Sequence, residues 1–279
     1  SSPRKNRASP IPEDRQMPFA TLKDGEKLYY EVHGSGPPLA LVSGLGGTHH
    51  FWLPHLDAFA KRFKVILHDH RGTGQSSRTI MEYSVGQMAD DLVQLLDHLM
   101  IERAHFVGHS TGGAIGQTMA LDAPRRLDRL VISASWTRAD AYFMRLFDFR
   151  SEVLRKAGSL AYMQGMTLFG VASDYLRDHS AEFDAEERAA AQSMTPEIVL
   201  SRIAAIQRFD RSKELGRIKA PTLVTGVRDD RITPAYYSEA LAAAIPGARL
   251  AMAEHGGHLY PRVHPTRFQE TVIDFLIDG

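Results

Sequence analysis

The sequence predicts an α/β chain: one mainly parallel sheet with helices on both faces. Three observations predict it. Short apolar runs over residues 39–42, 64–67, 104–107, 129–132, 221–225 and 249–252 have strand length and are mostly apolar throughout, as strands buried on both faces require. Stretches with helical apolar spacing separate these runs, so strand and helix alternate. Ahead of them, residues 19–22 and 28–32 flank Asp24-Gly25 and read as a hairpin,. The hairpin and the runs together make an eight-stranded, mostly parallel sheet.

Residues 1–18 hold Pro3, Pro10, Pro12 and Pro18 beside Arg4, Lys5 and Arg7. They lack the apolar stretch of a secretory signal and read as a flexible tail. Gly34-Ser35-Gly36-Pro37-Pro38 is a turn before the first parallel strand. Val85, Met88, Leu92, Leu95, Leu96 and Leu99 repeat every 3.6 residues and predict a helix over 85–99,. Residues 136–211 break the alternation, with Met, Phe, Leu and Ala at helical spacing and no strand. They read as a helical cap inserted into a core of 19–135 and 212–279. The insertion leaves from the C-terminal end of a strand, where α/β sheets bind ligands. Thr233-Pro234 then reads as a helix cap followed by a first-turn proline. Pro265 opens a last helix with Phe268, Val272, Ile273 and Leu276 on one face.

Composition removes several function classes. The 279 residues contain 33 Lys+Arg against 33 Asp+Glu, so there is no basic footprint for nucleic acid,. With no Cys there is no disulfide framework, thiolate metal site or cysteine nucleophile,. No apolar run approaches the ~18 residues of a membrane span. His49, His50, His55, His68 and His70 cluster in the sequence, but no HExxH or facial-triad pattern accompanies them,. The glycine turn over 69–76 lacks the Lys-Ser/Thr ending of a phosphate loop,. The expected chain is a cytoplasmic monomer or homodimer with no metal or cofactor. Its partner is a small-molecule substrate, neither nucleic acid nor membrane.

The sharpest local signal is Gly108-His109-Ser110-Thr111-Gly112, between a strand and a helix. A G-x-S-x-G turn holds its serine in strained backbone geometry at a helix N-terminus, where N–H groups favour developing negative charge. A serine hydroxyl needs a base, and the base needs an orienting acid. His258, in Glu254-His255-Gly256-Gly257-His258, follows the last strand and its glycines let the loop bend back. His255 precedes those glycines and is the rival imidazole. Asp229 and Asp230 both follow the strand over 221–225; counting back from Pro234 selects Asp230, counting from Gly226 selects Asp229. Asp230 is taken as the acid, and Asp229 is expected to pair with Arg228 or Arg231. Two N–H donors must face the oxyanion. Thr111 supplies one, and Leu45, in Ser43-Gly44-Leu45-Gly46-Gly47, supplies the other.

These motifs resemble those of the α/β-hydrolase fold superfamily, over nearly the whole chain outside the tail and the insertion. The carriers are SGLGG from Ser43, DHRGTGQS from Asp69, GHSTGG from Gly108, DDRITP from Asp229 and GGH ending at His258. Ser43 is a departure, because the family usually has His there, and it bears on how the oxyanion loop is supported. FWLP from Phe51, YSVGQMADDL from Tyr83 and Trp136 are most similar to bacterial enol-lactonases, including 3-oxoadipate enol-lactonase, and aminoacrylate hydrolases. The resemblance implies a cofactor-independent serine hydrolase of a small carboxylic ester or lactone. C–N or C–C bond hydrolysis by the same triad is the alternative within enzymes, and a non-turnover ligand receptor the alternative of another class. Gly44, His109, Trp136, Arg138, Met166, Phe169 and Leu259 are the expected pocket residues, and Arg138, Arg145 or Arg150 could clamp a substrate carboxylate.

Overall fold

In the computed structural model, which describes residues 18–278, the strands are β1 (Phe19–Thr21), β2 (Lys27–His33), β3 (Pro38–Val42), β4 (Lys64–His68), β5 (Ala104–His109), β6 (Leu127–Ser133), β7 (Thr222–Val227) and β8 (Arg249–Ala253). The tail expected over 1–18 lies outside the described residues apart from Pro18. The strands form one eight-stranded sheet in the order β1-β2-β4-β3-β5-β6-β7-β8. β1 pairs antiparallel with β2, and β2 antiparallel with β4. All later pairings are parallel, as the alternation predicts.

The helices are α1 (Leu53–Ala60), α2 (Val85–His98), α3 (Thr111–Asp122), α4 (Ala141–Gly170), α5 (Ser173–Asp178), α6 (Ser180–Ser193), α7 (Pro196–Arg208), α8 (Ala235–Ala244), α9 (Tyr260–Val263) and α10 (Pro265–Ile277). Side chains alternate across each strand, so two apolar layers form. Ala40, Val42, Ile66, Phe106 and Ile132 meet α2 and α3 on one face. Leu39, Leu41, Val65, Val107 and Val131 meet Phe59, Phe268 and Val272 on the other. Each Val, Leu, Ile or Phe side chain among them contributes about 1.5–3 kcal/mol on burial. That two-sided burial is why the strands read as continuous apolar runs.

Local signals fix the helix starts. Ser84 is extended and its side chain accepts from Gln87 N at 3.0 Å, capping α2, worth about 1 kcal/mol. The start of α8 differs from expectation by one residue. Pro234 itself is the extended cap residue (φ −48°, ψ 152°), because the Thr233 hydroxyl is engaged elsewhere, 3.0 Å from both Asp230 Oδ2 and Ala134 O.

Helices α4 to α7 fill the chain between the neighbouring strands β6 and β7. α4 is interrupted at Gly158, whose φ of 84° and ψ of 179° leave the helical region. Its far end, Gly170, accepts a hydrogen bond from Leu259 N at 2.8 Å, so the helical segment reaches the loop after β8. Among the described residues, no helix is long and apolar enough to cross a membrane.

Candidate active site

β5 passes into α3 through Ser110, whose φ of 55° and ψ of −116° lie where non-glycine residues are strained,. The neighbours make that turn possible. A Cβ on Gly112 would collide with the Val42 carbonyl, and one on Gly108 with the Gly112 carbonyl. Ser110 N donates to Ser133 O at 2.7 Å, and Ser135 Oγ donates to Ser110 O at 2.9 Å. The end of β6 therefore pins the turn from the side. Ser110 heads α3 without capping it through its side chain, which leaves the hydroxyl free for other partners.

The loops after β7 and β8 bring Asp230 and His258 together. His258 Nδ1 lies 2.8 Å from Asp230 Oδ2, and both side chains are buried. Asp230 also accepts from Ile232 N (2.7 Å), Thr233 N (2.9 Å) and the Thr233 hydroxyl (3.0 Å). These donors compensate the burial of a carboxylate. A carboxylate on Nδ1 fixes that nitrogen as the protonated one and turns Nε2 outward as the acceptor. His258 stands beside the turn that carries Ser110, its ring centroid 4.9 Å from that of His109. Among the described residues no hydrogen bond joins Ser110 Oγ to His258.

The loop of Ser43-Gly44-Leu45-Gly46-Gly47 lies against Ser110. A Cβ on Gly44 would sit 3.2 Å from Ser110 Cβ and 3.6 Å from Ser110 Oγ. Gly47 N donates to Gly44 O (3.0 Å), while His70 N (2.7 Å) and the Thr73 hydroxyl (2.9 Å) donate to Gly47 O. Among the described residues, the N–H groups of Leu45 and Thr111 have no acceptor. Two free donors thus belong to the two segments that touch Ser110.

Other expected residues scatter. Met166 and Leu259 gather with Ile232 around Gly170, next to the His258 loop. His109 is buried and stacked on Phe51 at 4.8 Å; burial, then neighbouring His258, hold its pKa well below the usual value. Trp136 is buried against Phe143 (4.8 Å) and Phe209 (6.0 Å). Phe169 is half-buried, with Phe149 at 6.3 Å. Arg138 and Arg145 are exposed, and the Arg138 backbone bridges Asp210, so neither joins the buried group at Ser110. Arg150 is buried, with Nη2 on Tyr162 Oη at 2.8 Å.

Asp229 does not pair with Arg228 or Arg231. It accepts from Gly256 N (3.1 Å) and Gly257 N (2.9 Å) and lies 2.7 Å from His255 Nδ1. Arg228 instead meets Glu239 and Glu254, and Arg231 donates to Val171 O. Sequence reasoning also missed Arg202, wholly buried on α7 and bonded to Leu45 O. A signal existed: Arg202 sits four residues from both Ile198 and Ile206, in the middle of an apolar stripe, where a solvated arginine does not belong. Among the described residues, no three His, Asp or Glu side chains converge as a metal site.

The family model described as alpha/beta hydrolase fold matches residues 37–265. A relative from Azorhizobium caulinodans, provisionally named carbamate hydrolase RutD, is 39% identical over 260 residues, covering 93% of this chain and 98% of its own. Among solved structures, a hydrolase from Pseudomonas aeruginosa PA01 matches with a TM-score of 0.86 and 31% identity, over 95% of this chain and 99% of that one. The enol-lactonase from Burkholderia xenovorans LB400 also reaches a TM-score of 0.86, at 27% identity, over 93% and 99% of the two chains.

Proposed function

The chain belongs to the alpha/beta hydrolase fold family, and on that premise we propose that it is a serine hydrolase that cleaves the carbonyl–nitrogen bond of a small carbamate. The observation that carries the serine mechanism is the buried pair of His258 Nδ1 and Asp230 Oδ2, 2.8 Å apart, beside a serine at φ 55°. The relative named for carbamate hydrolysis, 39% identical over nearly its full length, supports the bond type. The likeness to an enol-lactonase favours a second reading, an ester or lactone as the substrate, served by the same residues.

In this proposal His258 Nε2 takes the Ser110 proton as Oγ attacks the carbonyl carbon. The carbonyl electron pair moves onto oxygen, which the Leu45 and Thr111 N–H groups stabilise. The C–N bond then breaks, and the His258 proton goes to the departing nitrogen. Water, deprotonated by His258, then attacks the acyl carbon, the bond from that carbon to Ser110 Oγ breaks, and His258 returns its proton to Oγ. Asp230 stays ionised throughout and steadies the imidazolium. The cap helices α4 to α7 close over this group and shape the pocket, with Met166 and Leu259 as lining.

The test follows amine and carbon dioxide release from small carbamates, alongside acid release from small lactones and aryl esters. Turnover of the carbamate with a kcat/KM above that of the lactone is expected, and Ser110→Ala should abolish it. Preference for the lactone would transfer the reading to ester cleavage. Turnover that survives Ser110→Ala would reject the serine mechanism.

A further inference from the structure

Arg202 is fully buried, yet among the described residues no carboxylate forms an ion pair with it. Burial lowers its pKa to about 10. An apolar side chain could fill the same place in α7 without the penalty of desolvating a charge. What it could not do is donate. The guanidinium reaches Leu45 O through Nε (3.3 Å) and Nη2 (3.0 Å), Arg71 O through Nη1 (3.1 Å) and His70 Nδ1 through Nη2 (3.0 Å). Burial and the adjoining guanidinium keep the His70 pKa well below its usual value, so its Nδ1 is free to accept. The Tyr83 ring lies beside the guanidinium, 5.8 Å from ring centre to Cζ.

The target of this clamp decides its meaning. The peptide that carries Leu45 N–H has its carbonyl, Gly44 O, tied by Gly47 N. The next carbonyl, Leu45 O, is held only by Arg202 among the described residues. Gly47 O is tied from the core, by His70 N and Thr73. Ser43, at the head of the loop, gives no help: its hydroxyl is buried and has no partner among the described residues. One of the loop's three fastenings therefore comes from a helix of the segment between β6 and β7. A Cβ on Gly47 would stand 2.9 Å from Arg202 Nη2, so the loop is shaped to admit the guanidinium.

We infer that Arg202 is a positioning residue that sets the oxyanion loop from the cap, so that the hole is complete only when α7 is seated. This rests on the proposed roles of Ser110 and Leu45. The residue touches no reacting atom; it acts by fixing the plane of the Leu45–Gly46 peptide, and through Leu45 the direction of its N–H. Preorganised donors matter most when the oxyanion forms, so the effect falls on the transition state and spares ground-state binding.

Arg202→Met and Arg202→Lys are assayed on p-nitrophenyl acetate and titrated with butylboronic acid, which forms a tetrahedral anionic adduct on a reactive serine. Arg202→Met should lower kcat by about 30- to 300-fold, the range of one oxyanion donor or somewhat less. KM should stay within about threefold, and boronate affinity should fall in step with kcat. Arg202→Lys, which keeps one donor, should recover part of both. If Arg202→Met does not fold, Arg202→Lys is judged alone against the same two readouts. A folded variant that keeps kcat and boronate affinity within about threefold of the parent overturns the inference, as does a rise in KM with unchanged kcat. Ser110→Ala is measured beside them. Loss of turnover there with intact Arg202 variants sinks this inference alone, whereas turnover that survives Ser110→Ala sinks the serine reading.

Discussion

Asp229 and Asp230, adjacent in the chain, hold the loop after β8 at two different points. Asp230 Oδ2 faces His258 Nδ1 at 2.8 Å, while Asp229 takes the amides of Gly256 and Gly257 at 3.1 and 2.9 Å. One carboxylate orients the imidazole, and the other anchors the backbone that delivers it. Asp230→Asn should therefore lower kcat by about 10³- to 10⁴-fold, because the amide stabilises the wrong tautomer. Asp229→Asn keeps an acceptor oxygen for the glycine amides and should cost about tenfold or less. Steady-state kinetics of the two variants decide it; equal losses would contradict the division of roles.

The turn at Ser110 is sterically closed at Gly112, whereas the loop of residues 43–47 facing it is open at Gly46. A Cβ at Gly112 meets the Val42 carbonyl, whereas one at Gly46 meets nothing within 4 Å among the described residues. Gly112→Ala should destabilise the fold by about 3 kcal/mol or more, since backbone must move. Gly46→Ala should stay within about 0.5 kcal/mol. Urea unfolding measures both, and similar midpoints for the two would be inconsistent with the packing at the turn.

His255 bridges α5 to the loop after β7, with Nε2 2.9 Å from Asp174 on α5 and Nδ1 2.7 Å from Asp229. The hydrogen bond to Asp174 comes first among the causes that raise its pKa above 6.5. The stabilisation is therefore complete below the unfolded value and disappears as pH climbs through the raised one. Asp174→Asn should bring the His255 pKa, followed by NMR, back toward its ordinary value. In the parent, α5 should lose hydrogen-exchange protection, corrected for intrinsic rates, as pH rises through that pKa. An unshifted His255 in Asp174→Asn would rule out the bridge in solution.

Five other histidines act in the opposite direction. Burial brings His55 and His68 down to about 4, holds His70 and His109 well below 6.5, and lowers His105 as well. The native state keeps them neutral while the unfolded chain takes up protons near its ordinary histidine pKa. Stability should thus fall as pH drops below about 6.5, by up to ~1.4 kcal/mol per pH unit for each of them. Thermal unfolding at pH 7, 6 and 5 checks this. His68→Phe should flatten the slope, because His68 Nδ1 has no partner among the described residues and the ring stacks on His70 at 5.0 Å.

Much of the architecture could be read before any coordinates, for a physical reason. Strands such as β5 and β7 are buried along their whole length, so composition alone marks them. Ser110 was legible because glycines at 108 and 112 are a steric requirement of its turn. The fate of Asp229 was not. It depends on Gly256 and Gly257 turning through φ 139° and 65°, which aims their amides at a carboxylate instead of leaving it to nearby arginines. Arg202 was hidden differently: its partners are main-chain carbonyls of Leu45 and Arg71, and a carbonyl has no signature in sequence.

The placement of α4 to α7 between two strands that lie side by side has an evolutionary consequence. β6 and β7 bond directly, so the intervening chain is a closed excursion whose ends are already fixed. The entropy of closing such an excursion grows only logarithmically, by about 0.6 kcal/mol for each doubling of its length. Descendants of this chain can therefore lengthen, shorten or reshuffle the excursion at small thermodynamic cost while the strands beneath stay in register. Drift in substrate preference would then be expected to accumulate there first, limited chiefly by the need to keep one arginine within reach of Leu45.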